Sequence, residues 1–194
     1  MSTFQLIIAF LLFAWQTAAA IWDFYDRRIP AWFSLVPLVC GLIYFGIMIS
    51  PVAAVLLLVS VLGTNLPSRL GFVLTAVPGA YLVYSAYPEP QTALFAGWIL
   101  LWVLWLAGVM GGADALAGTV LLVWFPFPLM LVALLTGLLL WSLGLLGFRY
   151  GVGAPLRIWI VIRQGWSKKL PHPQPGLGAF PLAMLIFLIC QFCV

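Results

Sequence analysis

Apolar runs of roughly twenty residues alternate along this chain with short breaks rich in Pro, Gly and charge, the pattern of a bundle of apolar helices. The runs cover 4–22, 31–49, 51–64, 70–87 and 92–110. The next apolar stretch, 115–148, is too long for one span of ~20 residues. Phe125-Pro126-Phe127-Pro128 sits inside it, and two prolines so close together end a helix, so the stretch divides into a sixth and a seventh segment. A polar, basic stretch over 149–176 precedes a last run over 177–194. The pattern predicts one unit of eight helices with no separate soluble domain. The third and sixth segments are short for a span, which leaves a six-span arrangement with re-entrant pieces as the alternative. Pro and Gly, 14 and 18 of them, predict helices that are kinked or broken.

Composition names the solvent. Of 194 residues, 65% are hydrophobic and 6% are charged, with a mean hydropathy of +1.21. A soluble domain carries about a quarter of its residues as charges. Soluble, disordered and nucleic-acid-binding classes are therefore excluded, the pI of 9.2 notwithstanding. The expected class is an all-α polytopic membrane protein of six to eight transmembrane helices. Charge supports the division: with the N-terminus outside, the inside connections are 23–30, 65–69, 110–114 and 149–176, and they hold all 8 Lys and Arg. The outside connections carry only Glu89. The first run ends in Thr17-Ala18-Ala19-Ala20, like a signal-peptidase site, but no basic residue precedes it, so a retained first helix is expected.

The chemistry has few places to come from. The acids are Asp23, Asp26, Glu89 and Asp114, and His172 is the sole histidine. No stretch offers the three or four convergent ligands of a metal site, so neither metal nor cofactor is expected. Asp23 closes the first segment and Asp114 opens the sixth, both on the cytoplasmic edge. Carboxylates at membrane depth are costly and usually functional. Two brought together share a proton, which lets one deprotonate a water while the other protonates a scissile carbonyl. Gly111 and Gly112 remove side chains just before Asp114, and Ala113 keeps the approach narrow.

Two stretches resemble the motifs of type IV prepilin and archaeal preflagellin leader peptidases. Asp23-Phe24-Tyr25-Asp26-Arg27-Arg28-Ile29-Pro30 is similar to the first motif, an Asp at a helix end followed seven residues on by the Pro of an Arg-Ile-Pro-like element. Gly111-Gly112-Ala113-Asp114 resembles the second, Gly-x-Gly-Asp, with Ala third. Gly178-Ala179-Phe180-Pro181-Leu182-Ala183 is similar to the start of the family's last helix. The resemblance implies a membrane aspartic endopeptidase of a prokaryotic inner membrane. Its catalytic pair would be Asp23 and Asp114, and its substrate a pilin-like precursor whose short basic leader is cut at the cytoplasmic face. Ala31 and Leu116 stand where the family commonly has Asn or Asp and Lys. The methyltransferase domain of longer relatives has no counterpart here, so no methylation is expected.

The remaining polar residues have plainer readings. Asp26 shares a face with Asp23 if the helix continues, but reads better as a solvated loop acid beside Arg27 and Arg28. Those two arginines are most simply topogenic, on lipid phosphates. Arg157 and Arg163, in the aromatic and basic stretch 156–169, fit an interfacial anchor on anionic lipid better than a dock for a basic leader. Cys190-x-x-Cys193 has no second pair and reads as two inert thiols. Helix-end topology for Asp23 and a turn or N-cap role for Asp114 are the plain alternatives to catalysis. Two other functions fit the same residues: a catalytically silent scaffold of a pilus or secretion machine, and a small proton-coupled transporter.

Overall fold

A computed structural model describes residues 2–26, 30–64, 68–86, 91–106, 110–150 and 177–193. Eight helices and no strand occur among them. They are α1 (Thr3–Tyr25), α2 (Ala31–Met48), α3 (Pro51–Gly63), α4 (Ser68–Ala86), α5 (Thr92–Leu106), α6 (Gly112–Trp124), α7 (Pro128–Tyr150) and α8 (Ala179–Cys193).

The breaks fall where local chemistry demands them. Ser2 caps α1 with its hydroxyl on Gln5 N–H, and Gln5 returns the bond to Ser2 N–H. Ser50 accepts from Ala53 N–H while Pro51 opens α3, a cap followed by the residue best suited to the first helical position. Phe125 leaves the helical region at the Pro126–Pro128 pair, which separates α6 from α7.

Proline inside α2 has been turned to use. Pro37 has no N–H, so the carbonyl four residues back, Phe33 O, lacks its helical donor. The Trp15 indole of α1 donates to it instead, at 3.1 Å. On the other side, the Trp124 indole of α6 donates to Pro37 O at 3.0 Å. Gly41 permits this, because a Cβ there would lie 2.8 Å from Trp124 Nε1. Two indoles thus pin α2 between α1 and α6.

The core sits around α6. Ala117 to Val123 are all buried, and α6 packs on α2, α5 and α7. Gly118 admits Leu101 of α5 and Phe180 of α8, and Phe125 meets Phe187 of α8 with ring centroids 5.0 Å apart. The backbone of α8 lies closely along α7, and α1 packs along α8. α3 and α4 form a hairpin to one side.

By length and composition, α1 and Pro128–Leu145 of α7 can cross a membrane. The six other helices are apolar but shorter. At 13 residues, α3 and α6 reach about 20 Å, less than a hydrocarbon core of ~30 Å.

Candidate functional site

Asp23 lies in the last turn of α1, half-buried. A carboxylate there opposes the helix dipole, which favours cations at a C-terminus by about 0.3–1 kcal/mol. Its compensation comes from the far end of the chain: Leu177 N–H donates to Asp23 Oδ2 at 3.4 Å. Leu177, Gly178, Ala179 and Phe180 are all buried, and a Cβ at Gly178 would overlap the Trp141 indole of α7. The start of α8 is therefore held firmly against α7, and Asp23 is tied to it.

Asp114 sits in the first turn of α6, where the dipole favours it. Its Oδ2 accepts Gly111 N–H at 3.0 Å. A Cβ at position 111 would fall 3.2 Å from that same Oδ2, so Gly111 gives the carboxylate its room. Gly112 opens the helix beside the half-buried Trp105 indole of α5. Ala113 is exposed. Burial acts most strongly on the Asp114 carboxyl, the Gly111 N–H next, and the charge of Asp23 adds a smaller repulsion. Two carboxylates separated by 91 residues of sequence are thus brought within electrostatic range at one end of the bundle.

A third polar group lies on the same face of α1. Gln16, seven residues before Asp23, is fully buried and donates its amide to Ala117 O of α6 at 3.3 Å. Ala117 is in turn three residues after Asp114, one helical turn away. An inventory of ionisable residues passes over Gln16. The signal that could have found it is the spacing of three and four from Ala9 through Leu12, Gln16 and Ala19 to Asp23.

The other sequence candidates take simpler places. Asp26 caps the end of α1 through its backbone N–H, which bonds Asp23 O and Trp22 O, and its side chain is exposed. Pro30 caps the start of α2, with no contact to either carboxylate described. Arg27, Arg28, Arg157, Arg163 and His172 lie outside the described residues. Cys190 is a free, half-buried thiol on α8. Among the described residues no three His, Cys, Asp or Glu side chains gather as metal ligands.

No protein-family model, curated protein or solved structure matches the chain.

Proposed function

We propose that this chain is a polytopic membrane aspartic endopeptidase of the prepilin leader-peptidase type, with Asp23 and Asp114 as its catalytic pair. The observation that carries the reading is that these two carboxylates, at the end of α1 and the start of α6, lie within electrostatic range of each other at one edge of an apolar bundle.

The outer surface supports a lipid setting. Ile7 and Leu11 on α1, Ile43 on α2, Val55 on α3, Val77 on α4 and Leu139 on α7 all face outward and are exposed. Only 22% of the apolar window of α1 is buried, and the same share of that of α7, whereas a core helix of a soluble protein is mostly buried. Such a surface is unfavourable in water and ordinary in a bilayer. The shorter helices, α3 and α6 above all, fit a bundle in which some pieces do not cross alone.

The chemistry needs one water and one proton. The ionised member of the pair removes a proton from the water as its oxygen attacks the scissile carbonyl carbon. The neutral member gives its proton to the carbonyl oxygen. The tetrahedral adduct then collapses: one of its hydroxyls returns its proton to the ionised carboxylate as the C=O bond re-forms, the C–N bond breaks, the nitrogen takes a proton from the other carboxyl, and the pair again shares a single proton. An acidic pair at the cytoplasmic face also complements a basic leader. The substrate on this reading is a pilin-like precursor, held by its apolar helix against the bundle in the inner membrane of a prokaryote.

A second reading is favoured by a specific observation. Each carboxylate already accepts a backbone N–H, Asp23 from Leu177 and Asp114 from Gly111, as a purely structural cap would. On that reading the chain is a silent scaffold of a pilus or secretion machine. Co-expression with a pilin-like precursor from the same genome separates the two, with mass spectrometry of the mature N-terminus. The peptidase reading expects cleavage by the wild type and none by Asp23→Asn or Asp114→Asn at equal protein level. Cleavage surviving in both variants contradicts it.

A further inference from the structure

Gln16 carries an acceptor that nothing among the described residues satisfies. The residue is 0% exposed, and its Oε1 has no hydrogen-bond partner among the described residues. Its orientation is not arbitrary: Nε2 donates to Ala117 O at 3.3 Å, and turning the amide over would set two oxygens against each other. Buried acceptors without partners are rare, because their lost hydration is not repaid. The other residues of the buried stripe of α1, Ala9, Leu12 and Ala19, have no side-chain donor to offer.

The backbone of α1 packs along α8, and the bond toward α6 is made by the long Gln16 side chain. Ala19 and Ala117 beside it are small. We propose that Gln16 Oε1 holds one internal water molecule between α1 and α6. An internal water needs at least two polar partners. Here Oε1 accepts one of its hydrogens, and a backbone carbonyl of α6 accepts the other, as Ala117 O accepts from Gln16 itself. The site lies seven residues along α1 from Asp23, about 10 Å at ~1.5 Å per residue. It stands on the α1–α6 geometry alone, whether or not the carboxylate pair is catalytic.

Hydroxyl-radical footprinting of the full chain in detergent micelles tests it, because radicals made from an ordered water label buried side chains next to that water. Leu12 and Leu121, one turn from Gln16 and from Ala117, are expected to be labelled despite being 5% and 0% exposed. Leu38 and Leu57, buried elsewhere, serve as unlabelled controls. Labelling of Leu12 and Leu121 is expected to fall roughly threefold or more in Gln16→Leu and Gln16→Met, which remove the oxygen that holds the water. The Met variant keeps the length of the side chain and carries the test should the Leu variant fail to fold. Labelling no greater than at Leu38 and Leu57 overturns the proposal. So does labelling that is unchanged or that rises in the variants, since a residue that merely seals the interface would admit solvent when replaced.

Discussion

Two fully buried side-chain contacts join helices among the described residues, and they are built in opposite ways. Between α3 and α4, Ser60 Oγ donates to Thr75 O at 2.8 Å, and Thr75 Oγ1 reaches Ser60 O at 3.2 Å and Gly71 O at 2.8 Å. Both hydroxyls are fully buried and both find acceptors, so the contact is reciprocal and closed. Between α1 and α6, Gln16 makes one bond and leaves an acceptor open. The closed contact lies in the side hairpin. The open one lies on the same helix face as Asp23 and one turn from Asp114. A closed contact holds helices together by itself; an open acceptor can take a further hydrogen-bond partner.

The comparison can be broken from either side. The largest effect belongs to the carboxylate end: on the proposed peptidase reading, Asp23→Asn and Asp114→Asn are each expected to lower leader cleavage by about 10³-fold or more, the scale of lost acid–base catalysis. Their thermal midpoints in detergent should stay near the wild type. A comparable loss of cleavage on altering Thr75 would erase the distinction between the two regions. The next effect belongs to the hairpin. A Cβ at Gly63 would lie 2.8 Å from Thr75 Oγ1 and 3.0 Å from Leu74 Cβ, so Gly63→Ala is expected to cost about 1–3 kcal/mol by overpacking. Denaturant titration in micelles measures this, with cleavage per folded molecule unchanged. Thr75→Val, of similar volume, loses its bonds to Ser60 and Gly71 and should cost about 1 kcal/mol, the scale of interhelical hydrogen bonds in bilayers. Gln16→Leu should have the smallest effect on stability, within roughly 1 kcal/mol of neutral, because it removes an acceptor that no described residue meets, with the water proposed on it, together with one bond. A loss from Gln16→Leu larger than that from Thr75→Val would show that the open contact is the stronger clamp.

The chain's punctuation was easy to read. Ser50-Pro51, Phe125-Pro126-Phe127-Pro128 and the glycines before Asp114 act locally, through caps and missing N–H groups, and the helices begin and end within a few residues of them. The partners of each helix were not legible. Helices that are apolar nearly all round carry no strong stripe to separate a face toward the core from an outward face, so the central place of α6 and the packing of α1 on α8 stay hidden in sequence. Asp23 and Asp114 stood out because charge is scarce. The tie from Asp23 to Leu177 did not, since a backbone N–H has no signature. The rescue of Phe33 O by Trp15 could have been suspected from Pro37 alone, but not which donor would come.

The central claim is that α1 and α6 deliver two carboxylates to one place, and thiol cross-linking measures it without reference to activity. Cysteines replace Asp23 and Asp114 in a chain whose own Cys40, Cys190 and Cys193 have been changed to Ser. A control chain pairs Cys at 114 with Cys at 50, beyond the far end of α2. With a short bifunctional thiol reagent in native membranes, the account predicts rapid internal cross-linking of the 23–114 pair and none of the 50–114 pair. Cross-linking of 23–114 no faster than the control would contradict it.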